Sequence, residues 1–498
     1  SSLPNGTIHT APAAMTLRSN GGVLSSAGTL KGGQIDLAGQ GGITLSHDVT
    51  TPGTLSLTSG GAIFQIASAL TASRLTGSSL GNTVLSGAGN QVSTLGDFSA
   101  ADFTLASSLP LTVTGALWAN NVSLASGSGT TVVTGAVNAS GRTTIDSGTT
   151  LQIGTGGTQG SISGNVVNNG TLTFNRSDAL AYAGSISGTG SLVKNSSGTI
   201  TLTGASNYAG GTRLLAGRIN VGNNSALGTG VLDMADGTTP GLAANNLNLA
   251  NDIVLSGVGD PIVDTGSFNG TLSGAISGTG FLTKEGSGTL TFSGANNYSG
   301  PTTVSAGTLA AGAANTFSAL SAVTVASGAT LDLAGRNQRI AGLTNAGTVS
   351  LMGTTPGTTL TVTGPWVGSG GTLRLGTALG DNGSATDKVL LSGASAVASG
   401  STRVQVTNLN GLGAQTSGNG IEIVGTENGA SIQTGAFSLT GTLSAGAYDY
   451  HLNTTSAGAY LSSTTNVVPP TTPDSPPSAA PTATPAAVPS YRAEAPLL

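Results

Sequence analysis

Gly184-Ser-Ile-Ser-Gly-Thr-Gly-Ser-Leu-Val-Lys194 returns downstream as Gly274-Ala-Ile-Ser-Gly-Thr-Gly-Phe-Leu-Thr-Lys284. The agreement continues past the lysines. Gly198-Thr-Ile-Thr-Leu-Thr-Gly204 is answered by Gly288-Thr-Leu-Thr-Phe-Ser-Gly294, Asn207-Tyr208 by Asn297-Tyr298, and Ala216-Gly217 by Ala306-Gly307. The offset is a constant 90 residues, with no insertion inside the copied stretch. Each copy is made of short runs that alternate apolar and hydroxyl side chains, broken by glycine. Period-two runs of this length are strands, and a unit repeated without change of length is a rung in a stack.

The same texture extends on both sides. Gly33-Gln-Ile-Asp-Leu37, Gly42-Ile-Thr-Leu45 and Gly53-Thr-Leu-Ser-Leu57 lie upstream. Ser147-Gly-Thr-Thr-Leu-Gln-Ile153 is echoed by Ser327-Gly-Ala-Thr-Leu-Asp-Leu333, and Val166-Val-Asn-Asn-Gly170 by Leu343-Thr-Asn-Ala-Gly347. Asn and Gly at the corners supply the positive φ of sharp turns, and stacked Asn residues can form hydrogen-bonded ladders. No stretch has a capped helical period. The fold class predicted is all-β, a single-stranded parallel β-helix. At roughly 20–25 residues per coil, on the order of 18–20 coils at ~4.8 Å spacing give a rod about 90 Å long.

Composition agrees. Of 498 residues, 80 are Gly, only 4% are aromatic and none is Cys, so the core must be narrow and built from stacked aliphatic side chains without disulfides. The absence of cysteine also suits a chain that passes through an oxidising compartment. A net charge of −5, with no basic patch interleaved with aromatics, argues against nucleic acid as a partner. No apolar run reaches the ~20 residues that span a bilayer. After Thr464 the composition changes to Val468-Pro-Pro-Thr-Thr-Pro-Asp-Ser-Pro-Pro477 and further prolines, which predicts an extended, disordered tether.

The copied unit, with its Gly-x-Gly-x-Leu-x-Lys and Asn-x-Tyr-x-Gly elements, resembles the passenger-associated strand repeat of type V autotransporters. Downstream, Asp387-Lys-Val-Leu-Leu391, Gly411-Leu-Gly-Ala-Gln-Thr416, Gly420-Ile-Glu-Ile-Val424, Ala445-Gly-Ala-Tyr-Asp-Tyr-His-Leu452 and Tyr460-Leu-Ser462 follow in order. They are similar to the pertactin-type junction, or autochaperone, region that ends such passengers. Ala459 stands where that region usually has Trp. The resemblance implies a right-handed β-helix exported through periplasm and outer membrane to the cell surface, with its translocator barrel outside this sequence. It also implies that the junction folds first and templates the rungs behind it. Four segments are expected: divergent rungs at 1–140, repeat-bearing β-helix at 141–364 with copies at 184–217 and 274–307, the junction at 365–464, and the tether at 465–498.

Chemistry is sparse. The three histidines are His9, His47 and His451; His47 adjoins Asp48, but neighbours on a strand point to opposite faces, so it reads as a corner residue. Gly-Asp-Ser-Gly and Gly-Thr-Ser-Met-Ala, the motifs of serine-protease passengers, do not occur. Gly188-Thr-Gly190 precedes no helix and is not a phosphate loop. Asp252, Asp260 and Asp264, between the two copies, could line one loop and hold a sugar or Ca²⁺, or simply cap turns. Trp118 is a candidate exposed aromatic for sugar or protein, and Trp366 is expected to pack the C-terminal rungs. No catalytic residue, cofactor or metal site is predicted. The expected function is adhesion to a host protein or glycan, or to sister passengers. The alternatives are a carbohydrate-active enzyme on the same scaffold and a released binder of host proteins.

Overall fold

The computed structural model describes residues 8–465 except Val258 and Asp260. The Pro-rich segment expected as a tether falls almost wholly outside them. The described chain is an all-β parallel solenoid of about 18 turns, with no helix among the described residues. Forty strands join coil to coil in one parallel ladder, and seven form a second sheet toward the C-terminus.

Strand phase decides what goes inside. In the strand Thr29–Gly39, Ile35 and Leu37 are buried while Asp36 and Ala38 face outward. The next coils repeat the choice in register, so Ile35, Leu55, Leu75 and Leu95 stack directly over one another. A second column runs Leu151–Leu172–Leu192–Thr212–Leu232–Ile253–Ile276. Burying one such aliphatic side chain stabilises by about 1.5–3 kcal/mol. A core of like residues one coil apart therefore needs no large side chains.

The two copies share their corner glycines and buried tyrosines. Gly188 and Gly278 turn at φ of 104° and 107°. A methyl group there would sit 2.3 Å from the Asn168 carbonyl oxygen in one copy and 2.4 Å from that of Leu255 in the other, so only glycine fits. Tyr208 and Tyr298 are fully buried, and their hydroxyls meet Thr212 Oγ1 at 2.5 Å and Thr302 Oγ1 at 2.6 Å. The Ile186 amide donates to Ser206 Oγ, and the Ile276 amide to Asn296 Oδ1.

Corners are tied by side chains reaching one coil on. Asn245 Oδ1 accepts from the Asn269 backbone amide and Asn269 Oδ1 from the Thr289 backbone amide, each at 2.8 Å. The echoed Asn168 and Asn345 are buried. Each accepts from the amide of the glycine two residues on and donates to a carbonyl of the following coil.

Toward the C-terminus the coils lengthen. Trp366 pairs with Ala398, and Ala398 with Ile432. Trp366 is fully buried, donates from Nε1 to Thr402 Oγ1 at 3.0 Å and packs against Phe437. The strands Tyr448–Thr455 and Gly458–Thr465 form an antiparallel hairpin laid on Ile421–Glu427, which closes that sheet in antiparallel sense.

Candidate binding surface

Trp118 lies in the strand Ala116–Ser126 between the buried Leu117 and Ala119, so alternation turns it outward. It is 59% exposed. It belongs to a column of paired residues on the outer face of successive coils: Arg18, Ala38, Thr58, Ser78, Ser99, Trp118, Asn138 and Ser163. Trp118 is the one aromatic in a file of mostly small side chains, and hollows flank it. One, of about 530 Å³, is lined by Leu80, Ala100, Asn120 and Asn138 among others; the other, of about 270 Å³, by Asp97, Ser99 and Ala116. Ser163 Oγ donates to Asn138 Oδ1 at 3.1 Å and Ser140 Oγ to Asn120 Oδ1 at 3.3 Å, which fixes both amides. The arrangement offers an aromatic face beside polar groups of fixed orientation, with no charged side chain around the larger hollow.

The acidic candidates are placed differently. Asp252 accepts the Ala275 amide at 2.8 Å, a bond between corners of adjacent coils. Asp264 accepts the Gly266 amide at 2.7 Å and pairs with Arg218 at 2.8 Å. Burial works to raise the Asp264 pKa, but the Gly266 amide and the Arg218 guanidinium outweigh it and hold the carboxyl below its ordinary value. Asp252 and Asp264 share no hydrogen-bond or ion-pair partner, and Asp260 lies outside the described residues. Among the described residues no three His, Asp or Glu side chains are grouped as a metal would require. His47 Nδ1 contacts the Ser26 carbonyl at 2.8 Å, and His451 Nε2 contacts Thr464 Oγ1 at 3.2 Å.

Sequence reasoning missed the lysines of the copied unit. Lys194 and Lys284 are 1% exposed, each inside an interior column: Phe174–Lys194–Leu214 and Val263–Lys284–Val304. The Lys284 ammonium donates to Glu285 O and Gly286 O at 2.8 Å, and to Thr265 Oγ1 and Ala306 O at 3.1 Å. Lys194 reaches the carbonyls of Ser196 and Ala216. Burial pushes both pKa values down to about 8; for Lys284 the nearby Asp264 and Glu285 partly oppose this. The signal was available: Leu192-Val-Lys194 puts the lysine in phase with a buried leucine.

Comparison with known families accounts for this architecture. The family described as Autochaperone Domain Type 1 matches residues 338–452. The Passenger-associated-transport-repeat matches residues 125–153, 192–221 and 282–311, one repeat more than the two copies at 184–217 and 274–307. The chain is an autotransporter passenger with such repeats and an autochaperone domain, and such passengers are secreted to the cell surface. Among its relatives, the "Adhesin BmaC autotransporter" of Brucella suis biovar 1 is 33% identical over 320 residues, covering 61% of this chain and 8% of that protein. The "Probable autotransporter YfaL" of Escherichia coli K12 is 40% identical over 137 residues, 26% of this chain and 10% of its own length. "Uncharacterized protein YuaQ" of the same bacterium is 37% identical over 199 residues, 39% of this chain and 14% of its own. The chain thus spans less than a sixth of each of these three relatives.

Proposed function

We propose that this chain is the adhesive part of its autotransporter: a rod carried through periplasm and outer membrane by a C-terminal barrel, which binds host surfaces, matrix or sister cells and catalyses nothing. The observation that carries this reading is Trp118. On a rod most of whose described aromatic side chains are packed inside, a tryptophan stands 59% exposed above a hollow lined by Leu80 and two oriented amides. The distant relative named an adhesin supports it. So does the way the ionisable residues are used. Arg218, Asp264 and Lys284, the grouping closest to a lyase or hydrolase constellation, are taken up by bonds to one another's neighbourhood and to backbone. Binding by a displayed rod is multivalent, so weak single contacts suffice.

The test is display. Bacteria carrying this passenger on a barrel are compared with bacteria carrying the barrel alone, for settling in suspension and for retention on host cells and matrix-coated surfaces. The expected outcome is a gain in at least one assay that Trp118→Ala reduces. Equal behaviour of the two strains in every assay removes the adhesive reading.

A further inference from the structure

The column that holds Trp118 is longer than the hollow beside it. A third hollow, of about 180 Å³, is lined by Arg18, Ala38, Gln40 and Thr58 among others, which belong to the same column and its adjoining corner; Thr58, the nearest of them, is three coils upstream of Trp118. The corner is continuous: the Gln40 amide donates to Ser19 O, that of Gly60 to Gly39 O, and that of Leu80 to Ser59 O. The hollows therefore lie end to end along one face. The eight paired residues span seven coil spacings, roughly 34 Å at ~4.8 Å each.

We infer that this face is a track for a neutral, linear glycan, with one sugar ring stacked on Trp118. The inference rests on the adhesive reading above and names the class of ligand. Three features select it. First, the eight-residue file carries one charged side chain, Arg18 at its far end, and the carboxylate beside Trp118, Asp97 in the smaller hollow, already accepts the Ala116 amide at 2.8 Å, so an anionic polymer finds no series of cations and a cationic one no series of anions. Second, the groups on offer are hydroxyls, amides and one aromatic face. Asn138 has its amide oxygen taken by Ser163, leaving its amide nitrogen to donate to a ring or hydroxyl oxygen. The Trp118 face suits the apolar C–H face of a pyranose. Third, Thr58, Ser78 and Ser99 lie in strands paired to coils on both sides. Their backbone offers no free edge for an extended peptide to pair with, which removes the main source of affinity for such a partner. A floor that presents similar small side chains at every coil suits a ligand that itself repeats.

The experiment uses the purified chain and its own fluorescence. Trp366 is fully buried, so quenching by acrylamide reports on Trp118. The probes are linear hexasaccharides of β-1,4-linked glucose, β-1,3-linked glucose and β-1,4-linked N-acetylglucosamine, with polygalacturonate as the anionic comparator. At least one neutral hexasaccharide should shield Trp118 and titrate by calorimetry. Trp118→Ala should weaken the calorimetric binding about tenfold, and Ser99→Arg, which fills the track at an outward position, should do the same. Phe64→Ala, exposed on a different column, should leave it unchanged. Binding that survives both track variants, equal shielding by polygalacturonate, or no binding by any neutral probe overturns the inference. A displayed passenger that adheres while the hexasaccharides fail leaves the adhesive reading standing and this one fallen; glycan binding without adhesion does the reverse.

Discussion

Lys194 and Lys284 are the residues whose chemistry is least expected from their surroundings. An ammonium among Phe, Leu and Val is costly to desolvate, and it persists here because carbonyls of its own corner and of the next coil surround it. The pH dependence follows with a definite sign. With a folded pKa of about 8 against an ordinary 10.5, each lysine binds fewer protons folded than unfolded between those values. Stability therefore rises with pH across that window, by up to roughly 3 kcal/mol per lysine. Tyr208 and Tyr298 act oppositely. Burial raises both, Tyr298 to about 12, so above pH 10 the unfolded phenol ionises first and stability falls. Guanidinium midpoints should climb from about pH 7.5 to a maximum near about pH 10 and then drop. In a Lys194→Met/Lys284→Met variant the climb should vanish; the same climb in both proteins would show that other groups cause it. These lysines, like Trp118, were legible in principle. Trp118 alternates with Leu117 and Ala119, whereas Lys194 alternates in step with Leu192. Phase alone sends one out and the other in, against the habit of reading tryptophan as core and lysine as surface.

At the scale of the element, the repeat unit is a set of corner geometries joined by strands, of three or four residues each in the second copy. Gly278 shows what the corner demands: positive φ and a carbonyl 2.4 Å from where a methyl would sit. Gly278→Ala must displace backbone, and a loss of about 3 kcal/mol or more is expected, seen as a lowered guanidinium midpoint. Gly148 has φ of 77° but nothing within 4 Å of that position. Gly148→Ala should therefore cost only the left-handed conformation, about 1–2 kcal/mol. Similar losses in both variants would mean that φ, and not the neighbouring coil, makes glycine necessary. The solenoid was readable because its units are local: two or three alternating residues and a turn suffice to state each strand. The separation of Asp252 from Asp264 was not. A coil turns several corners in about twenty residues, so Asp252 and Asp264, twelve apart, cap different corners. Proximity in sequence carries no proximity in space once a corner intervenes. The tracks along the rod are just as hard to see, because residues twenty apart become neighbours only when every intervening bulge is counted.

For the whole molecule, stability is close to a sum of coils and the interfaces between them, so the two ends decide where unfolding starts. They differ. Among the described residues the first strand, Ile8–Ser19, pairs with Thr29–Gly39 alone, and Ile8 is 63% exposed. The other end is closed. The hairpin of Tyr448–Thr455 and Gly458–Thr465 lies antiparallel on Ile421–Glu427. Tyr450 is buried, and its hydroxyl bonds the Gly380 and Ala414 carbonyls from 70 and 36 residues away. A region stitched by such long-range bonds opens only as a whole, while coils held by their neighbours alone open one by one. Amide exchange in the native chain should therefore be fastest in the coils of residues 8–45 and slowest in 366–461, with a gradient between them. Tyr450→Phe should raise exchange in 366–461 and leave 8–45 unchanged, because it removes the stitch and touches nothing in the first coils. Refolding from denaturant should show protection first in 366–461, the order a template at that end requires. Protection appearing first in the N-terminal coils, or simultaneously along the rod, would mean that the autochaperone region is a cap on a chain that nucleates elsewhere. The order matters for a secreted rod: if the closed end forms first, each later coil adds to an existing sheet edge and never pays again for nucleation.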